Sequence, residues 1–301
     1  MIQITAPAKI NLFLRVTGRR PDGYHTLSTL MCPLELADDV RLDPGGQCIR
    51  VVCPDPAVPT DDTNTAHRAA DLFFGTLTRR RRLRRAGVTI TIDKRIPTGA
   101  GLGGGSSDAA AVFMGLNRFF KYPFRQPELI EMGLAVGADV PFFIFGQPAL
   151  ARGIGELLEP CRGLPPYHVL LIYPGISVST AEVFKNLDLG LTKCKKKLKD
   201  FDLKQQPFDA ALHLCNDLET VTQSRYPQVR SARKALEGRG ALGISMSGSG
   251  SSVFALFADD KAARRARRGL EGQIDGSLFL TRLRTPAVGK MIPEGDRRDQ
   301  A

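Results

Sequence analysis

The part of the sequence with the clearest chemical content is a glycine-rich segment, Pro97–Asp108. Five of the seven residues from 99 to 105 are glycine, and two serines follow them. Glycine lets the backbone turn through positive φ and lets a ligand approach the main chain closely. The residues before it, 88–94, alternate like a half-buried strand, and those after it favour a helix. A strand, a glycine loop and a helix N-terminus in this order predict a phosphate-binding site.

The segment differs from the commonest phosphate loops. No Gly-Lys-Ser/Thr closes it as in a Walker A sequence. Its glycine spacing fits a dinucleotide fingerprint, but no opening βαβ unit precedes it, and the protein-kinase motifs are missing downstream. We therefore expect a phosphate cradle of another kind. We also expect Ser106, Ser107 or Asp108 to cap a helix that runs to about Phe119.

Two further places combine charged and apolar residues. Lys9 and Asn11 alternate with an apolar row, so they project from one face of a strand, where an isolated lysine is usually exposed. Asp139 stands among Ala, Val, Pro and Phe, and carboxylates are rarely buried without a partner. Asp139 therefore either caps the next helical turn or meets a buried cation or a reacting group.

The periodicity of the chain predicts the elements that position these residues. In the first half we expect strands over 1–16, 26–34 and 88–94, short strands within 38–60 and a hairpin over 147–158. We also expect one helix that begins at 62, one that follows the glycine loop and ends at about 119, and one over 127–136. In the second half they are strands over 167–173, 242–246, 253–257 and 278–283, and helices after a capping box at Ser179, near 208–223, and over 227–237 and 259–270. This order predicts an α+β sandwich with an antiparallel sheet.

Composition limits the class of protein. With 301 residues, 43% of them hydrophobic, the chain is long enough for two modest domains. We find no window apolar enough to cross a bilayer and no signal-peptide layout at the N-terminus. The six cysteines form no C-x-x-C pair, so we expect reduced thiols in a cytoplasm and neither a zinc site nor a disulfide framework.

The formal net charge of +11 attracts polyanions, and much of it lies in two runs. Residues 79–85 contain six arginines, and residues 193–199 contain five lysines. Neither run is interleaved with the aromatic residues that stack on single-stranded nucleic acid. We expect both runs to be solvated surface.

The motifs together resemble those of the GHMP kinase superfamily. Three stretches match its three motifs: Pro7–Leu12, Pro97–Ser107 and Met246–Ser251. The resemblance narrows, through Ala8–Leu14 and Arg20–Thr26, to the branch that phosphorylates a diphosphocytidyl sugar alcohol in the non-mevalonate isoprenoid pathway. Gly137–Pro141 and Asn216–Glu219 add to it, and it extends to about residue 284.

The resemblance implies a two-domain GHMP kinase fold with the active site in the cleft between the domains. Residues 1–160 are expected to form an ATP-binding domain like ribosomal protein S5, and residues 161–286 a ferredoxin-like domain. Residues 287–301 are expected to be a disordered tail.

The activity implied is Mg²⁺-dependent transfer of the ATP γ-phosphoryl group to the 2-hydroxyl of the sugar alcohol. Asp139 matches the catalytic carboxylate, and Lys9 its partner beside the accepting hydroxyl. The resemblance implies no nucleic-acid or membrane partner, and we expect a monomer or weak dimer.

The resemblance also assigns binding residues. The ATP phosphates are expected to meet the loop residues Pro97, Thr98, Gly99, Ala100, Gly101, Leu102, Gly103, Gly104, Gly105, Ser106 and Ser107, and the adenine is expected near Asn64 and Lys94. The positions that match acceptor-binding residues are Asn11, Tyr24, His25, Thr180 and Phe184. Tyr24 and Phe184 are expected to flank the cytosine, with His25 at its polar edge.

One residue departs from the pattern: Asp108 stands where other members often carry asparagine, and it either repels phosphate or helps to place the metal. Two alternatives stay open. One is a GHMP kinase for another alcohol, such as mevalonate, homoserine or a sugar. The other is a basic nucleic-acid-binding protein with an S5-like fold, which predicts steeply salt-dependent RNA binding.

Overall fold

The computed structural model of the chain describes residues 1–81, 86–187, 194 and 207–285. The strands are β1 (Ile2–Arg19), β2 (His25–Pro44), β3 (Ile49–Val52), β4 (Val88–Asp93), β5 (Ala149–Gly153), β6 (Leu157–Pro160), β7 (His168–Tyr173), β8 (Cys215–Asn216), β9 (Gly243–Met246), β10 (Val253–Phe257) and β11 (Ser277–Arg282). The helices are α1 (Thr65–Arg81), α2 (Gly104–Phe119), α3 (Gln126–Val136), α4 (Val140–Phe145), α5 (Thr180–Lys185), α6 (Ala210–His213), α7 (Glu219–Arg225), α8 (Pro227–Leu236) and α9 (Asp260–Arg268).

Two sheets organise these elements. The larger sheet has the order β3-β4-β2-β1-β8, and β5 and β6 extend it from β2. The smaller sheet has the order β11-β7-β10-β9, and all its neighbours are antiparallel. The α+β class predicted from the sequence is confirmed. The domain division at residues 160 and 161 stays a prediction, and the predicted tail lies outside the described residues.

Three hydrophobic clusters hold the layers together. The first lies between the larger sheet and helices α1 to α4, and its largest members are Phe73, Phe74, Phe113 and Phe142. The second joins β1 and β2 to β7 and β10. The third covers the other face of the smaller sheet, under α8 and α9. The alternating patterns of the sequence point their apolar sides into these clusters, because burying apolar surface is the main favourable term in folding.

The β1–β2 ladder is the longest of the structure, and it carries the polar residues of interest. Register shifts interrupt it between Pro7 and Lys9, between Asn11 and Phe13, and between Val16 and Gly18. The short strands predicted within 38–60 are wrong for the first part of that range, since β2 continues to Pro44. Asp38 lies in this continuation and is fully buried. Its buried partner comes from a distant part of the chain, and local sequence does not show that.

A short strand from the second half joins the larger sheet. β8 pairs in parallel with β1 at Phe13 and Leu14. The carboxylate of Asp217, the next residue, accepts a hydrogen bond from the Val16 backbone, and its own N–H donates to the Leu14 carbonyl. The single helix predicted near 208–223 is therefore wrong, because this strand separates α6 from α7.

The cysteines are only partly as expected. Cys194 and Cys215 are joined by a disulfide with 5.7 Å between their Cα atoms, whereas Cys32, Cys48, Cys53 and Cys161 are free. The expectation of reduced thiols is wrong for this pair. Cys spacing could not reveal it, since the pairing depends on β8 lying beside β1.

Charge and membrane features complete the description. Arg79, Arg80 and Arg81 end α1, and the rest of the arginine run lies outside the described residues. The lysine run lies outside them too, apart from Cys194 within it. Of the helices described, none has the length and apolar character needed to cross a bilayer.

Candidate active site

A cleft of about 580 Å³ brings together residues from both halves of the chain. The predicted site residues that line it are Lys9, Asn11, Asn64, Lys94, Pro97, Thr98, Gly99, Ala100, Gly101, Gly103, Gly104, Gly105, Ser106, Asp139, Thr180 and Phe184. Leu102 and Ser107 are buried beside it, and Tyr24 and His25 are not part of its lining. Most of the residues predicted for the site, although far apart in the chain, therefore line one cleft.

The glycine loop owes its shape to backbone conformations that other residues rarely adopt. Gly99, Gly101 and Gly103 have φ values of 68°, 76° and 74°. A Cβ atom on Gly101 would meet the carbonyl oxygens of Ser247 and Gly250, the latter at 2.6 Å. Glycine is required at this position for both its conformation and its lack of a side chain.

The same loop packs directly on the Ser-Gly loop between β9 and β10. The Ser252 N–H donates to the Ala100 carbonyl at 3.0 Å, and the Ser247 hydroxyl donates to the Gly101 carbonyl at 2.9 Å. These bonds fix the position of the glycine loop from the side of the second sheet. The loop is therefore held in place before any phosphate binds.

Helix α2 begins at Gly104, and the residue before it, Gly103, makes no side-chain cap. The predicted capping by Ser106, Ser107 or Asp108 is wrong, because all three lie inside the first turns of the helix. The positive φ of Gly103 starts the helix earlier than the serines suggest. The N-terminal N–H groups are consequently not occupied by a capping side chain, and such groups suit a phosphate.

Lys9 and Asp139 form an ion pair in the cleft. The distance from Lys9 Nζ to Asp139 Oδ2 is 3.4 Å, and the side chains are 5% and 37% exposed. Lys9 also donates to Asn11 Oδ1 at 2.8 Å. Asp139 precedes α4 but makes no side-chain cap. Of the alternatives for Asp139, the structure supports the pairing with a buried cation. Lys9 is that cation, and it is buried, whereas an isolated lysine at such a strand position is usually exposed.

A second charged cluster lies under the start of α2. Lys94 Nζ donates to Asp38 Oδ2 and, at 2.9 Å, to Asp108 Oδ2. Burial of the Asp108 carboxyl, opposed by Lys94 and reinforced by the charge of Asp38, raises its pKa to about 7. Asp108 Oδ1 has no hydrogen-bond partner among the described residues. Asp108 is therefore a partner of Lys94 within a cluster of two carboxylates and one ammonium.

Asn64 lies at the same end of the cleft as Lys94. Its Nδ2 donates to the Pro59 carbonyl at 2.6 Å, and its Oδ1 accepts from the Ala66 N–H at 2.8 Å. The amide thus caps α1 and has backbone partners at both ends. The Asn64 amide and the Lys94 ammonium are both held by neighbouring groups, and their place beside the adenine stays a prediction.

One end of the cleft is lined by Phe184, whose ring stacks on another aromatic ring. The rings of His25 and Phe184 stack with centroids 5.2 Å apart and 23° between their planes. Burial and the positive charge of Arg19 lower the pKa of His25 and so favour the neutral ring. Tyr24 is 63% exposed. The ring that faces Phe184 in the structure is therefore that of His25, while Tyr24 is exposed to solvent.

Thr180 connects this end to the Ser-Gly loop. Its hydroxyl lies 2.7 Å from the Ser249 hydroxyl. The Ser179 hydroxyl accepts from the Glu182 N–H and caps α5, as the capping box predicts. Thr180 and Phe184 are four residues apart, and both line the cleft from this helix.

Among the residues that the sequence reasoning did not assign to the site, three contact predicted site residues through their side chains. Thr29 lines the cleft and contacts Asn11, Asp38 holds Lys94, and Ser249 meets Thr180. Two of them had a signal in the sequence. Thr29 shares the period-2 face of β2 with Leu27 and Met31, which line the cleft too, and Ser249 lies within the motif Met246–Ser251. Asp38 acts through a contact between distant segments.

Comparisons with known proteins agree with the arrangement. Residues 64–147 match the family described as GHMP kinases N terminal domain, and residues 196–274 match GHMP kinases C terminal. A 4-diphosphocytidyl-2-C-methyl-D-erythritol kinase of Syntrophotalea carbinolica is 44% identical over 280 residues, which cover 93% of this chain and 98% of that protein. The protein of the same name from Geobacter sulfurreducens is 42% identical over 289 residues, or 94% and 99% of the two chains.

Solved structures give the same picture. A crystal structure of 4-(cytidine 5'-diphospho)-2C-methyl-D-erythritol kinase superposes with a TM-score of 0.76 at 35% identity, covering 94% of this chain and 99% of that one. A homoserine kinase from Cytophaga hutchinsonii has a TM-score of 0.71 at 20% identity, covering 94% of each chain. The second likeness concerns the fold alone.

Proposed function

Since the chain belongs to the 4-diphosphocytidyl-2-C-methyl-D-erythritol kinases of the GHMP kinase superfamily, we propose that it phosphorylates the alcohol named there. The reaction transfers the γ-phosphoryl group of ATP to the 2-hydroxyl of 4-diphosphocytidyl-2-C-methyl-D-erythritol, a step of the non-mevalonate isoprenoid pathway. The observation that carries this proposal is the Lys9–Asp139 ion pair at 3.4 Å, in a cleft that is also lined by the glycine loop and by Phe184, on which His25 stacks.

The glycine loop and the start of α2 are the proposed phosphate site. Uncapped N–H groups and the positive end of the helix dipole attract the negative oxygens of ATP. The Lys9 ammonium donates a hydrogen bond to Asn11 Oδ1 and forms an ion pair with Asp139. A further proton of this ammonium can be donated to a phosphate oxygen as charge shifts during transfer.

Asp139 acts on the accepting alcohol. Phosphoryl transfer passes through a loose transition state, so catalysis rests on positioning and on charge stabilisation more than on strong base chemistry. The Asp139 carboxylate, partly exposed to the cleft, orients the hydroxyl and accepts its proton late, as the new oxygen–phosphorus bond forms and the bond to ADP breaks. Lys9 fixes the carboxylate in that position.

The residues also fit a Mg²⁺ ion that arrives with ATP. Mg²⁺ usually keeps several waters and binds through phosphates plus one or two protein oxygens. Ser107 Oγ is buried at the start of α2 and has no partner among the described residues, which fits such a ligand. Among the described residues, no three or more His, Cys, Asp or Glu side chains form a cluster that could hold a metal ion. The ion would offset phosphate charge.

The acceptor is recognised through its cytosine. Phe184 offers a ring face in the cleft, and aromatic faces stack on nucleobases. His25 already stacks on that ring, so we propose that the base either replaces His25 there or extends the stack, with Tyr24 closing from the rim. Asn11 and Thr180 supply polar groups nearby, and we propose that the adenine binds near Asn64 and Lys94, which line the same cleft.

A coupled ADP-release assay tests the proposal. The protein is given Mg²⁺-ATP with 4-diphosphocytidyl-2-C-methyl-D-erythritol, with methylerythritol phosphate lacking the cytidine, and with mevalonate and homoserine in separate reactions. Turnover with the cytidine compound alone supports the proposed substrate. Equal turnover with another alcohol contradicts it and favours the wider GHMP kinase alternative. Tight RNA binding at physiological salt without turnover favours the nucleic-acid alternative.

Location and assembly are further proposals from the sequence. We propose a cytoplasmic protein that is a monomer or a weak dimer. Sedimentation velocity across a hundredfold range of protein concentration tests the assembly, since a weak dimer dissociates within that range and a stable oligomer does not.

A further inference from the structure

Three polar side chains next to the catalytic pair are almost completely buried. Lys9, Asn11 and Thr29 are 4%, 2% and 3% exposed, and all three line the cleft. Buried polar groups are costly without partners, so each hydrogen bond among them is significant. The chain of contacts runs from Thr29 through Asn11 and Lys9 to Asp139.

The hydroxyl of Thr29 fixes the direction of this chain. It donates its one proton to the Phe13 carbonyl at 2.7 Å. Its oxygen can then only accept, and it accepts from Asn11 Nδ2 at 2.8 Å. The Oδ1 atom of Asn11 is therefore turned to Lys9 Nζ, 2.8 Å away. The opposite amide orientation would place two donors face to face at Lys9.

The Phe13 carbonyl lies where the ladder between β1 and β2 is irregular. The register of the two strands shifts between Asn11 and Phe13, and such a bulge interrupts the regular pairing. The Thr29 hydroxyl satisfies the carbonyl at that point. The irregularity and the catalytic lysine are thus linked through one side chain.

We propose that Thr29 is a positioning residue for the phosphoryl transfer, acting through Asn11 to hold Lys9 against Asp139. This inference rests on the proposed function, and it adds a residue that touches neither reacting group. Without the hydroxyl, Asn11 loses the partner that sets its amide, and the Lys9 ammonium is free to leave the line to Asp139. Displacements of about 1 Å in a catalytic group can cost about a hundredfold in rate.

The test compares Thr29→Val with Thr29→Ser. Valine keeps the shape of threonine and removes the hydroxyl, whereas serine keeps the hydroxyl. We expect Thr29→Val to lower kcat about 10- to 100-fold with little change in the KM for ATP, and Thr29→Ser to restore most of kcat. Thr281→Val is the matched control, because Thr281 is also buried and accepts from the Leu36 backbone far from the cleft.

A double-mutant cycle separates positioning from general destabilisation. If Thr29 acts through Lys9, then Thr29→Val has almost no further effect on the residual single-turnover rate of Lys9→Met. Should Thr29→Val not fold, Thr29→Ala removes the same hydroxyl without adding a methyl group. Thermal unfolding identifies which variants are folded.

The outcomes are distinct. A folded Thr29→Val with the kcat of the unsubstituted protein overturns the inference and leaves the proposed function intact. The same holds if the valine substitution costs as much in Lys9→Met as it does alone, or if serine does not rescue. No turnover by the unsubstituted protein overturns both.

Discussion

Lys9 Nζ lies 3.4 Å from Asp139 Oδ2, and the two side chains differ sharply in exposure, at 5% and 37%. The buried member of the pair is the cation, on a strand of the larger sheet, and the member open to the cleft is the carboxylate, before a short helix. The pair therefore presents the Asp139 carboxylate to a ligand in the cleft, while the buried Lys9 ammonium holds that carboxylate in position.

The first prediction concerns this carboxylate. Asp139→Asn keeps the size of the side chain and removes its charge and its capacity to accept the proton. We expect kcat to fall about 10²- to 10⁴-fold with the affinity for ATP almost unchanged. Stopped assays give kcat, and equilibrium dialysis with ATP gives the affinity. The control is Asp93→Asn, an exposed carboxylate at the end of β4. An active Asp139→Asn contradicts the assigned role.

The second prediction separates conformation from close approach in the glycine loop. Gly101→Ala introduces a Cβ at φ 76° against the Ser247 and Gly250 carbonyls. Gly163→Ala is the matched control, since φ is 77° and nothing lies within 4 Å of its Cβ. In both variants the left-handed conformation of alanine lowers the free energy of unfolding by about 1–2 kcal/mol. Gly101→Ala is expected to lower Tm further and to raise the KM for ATP at least tenfold. Equal effects of the two variants would contradict the loop packing described above.

The third prediction concerns the acceptor. Stacking of a base on an aromatic ring is worth about 1–3 kcal/mol, so Phe184→Ala is expected to raise the KM for the cytidine substrate roughly 5- to 100-fold. The KM for ATP should not change. Phe119→Ala, at the half-exposed end of α2, is the control. Steady-state kinetics with each substrate varied in turn measures both constants, and a change confined to ATP would refute the assignment.

The fourth prediction is a pH dependence of stability. The pKa of Asp108 lies at about 7 in the folded protein against a reference value of 3.8. The folded state therefore holds more protons than the unfolded state between these values, and stability falls as the pH rises from about 4 to 7.

Asp108→Asn tests this sign. The substitution leaves Lys94 paired with Asp38 alone and removes one buried charge. We expect its Tm to exceed that of the unsubstituted protein at pH 8 by roughly 3 °C or more, and the difference to shrink towards pH 4. Asp39→Asn, whose carboxylate pairs with the exposed Arg95, is the control. A Tm difference that is constant with pH would show that Asp108 does not titrate in this range.

Much of the fold was readable from the sequence because its signals are local. The alternation in β1, the spacing of α1 and the proline and glycine that bound α3 all follow from the residues themselves. The glycine loop and the face shared by Lys9 and Asn11 were predictable for the same reason. For the candidates that are single residues, only the resemblance to a family predicted that they would lie in one cleft.

The remainder depends on contacts between distant segments. The burial of Asp38 follows from Lys94, and the disulfide between Cys194 and Cys215 follows from β8 beside β1. The early start of α2 follows from the conformation of Gly103, which outweighs the capping preference of the serines. The hydrogen bond from Thr29 to the Phe13 carbonyl is of the same kind, because it forms where the register of two strands shifts.

The strand β8 has a consequence for the chain as a whole. Its two residues, together with Asp217, supply the last partner of β1, so an edge of the first sheet is completed by the second half. The halves are thus not interchangeable modules: a hybrid that joins the first half to the second half of a distant relative must match this strand or leave β1 without its β8 partner at Phe13 and Leu14. We expect calorimetry to show one cooperative unfolding transition, as an integrated unit requires.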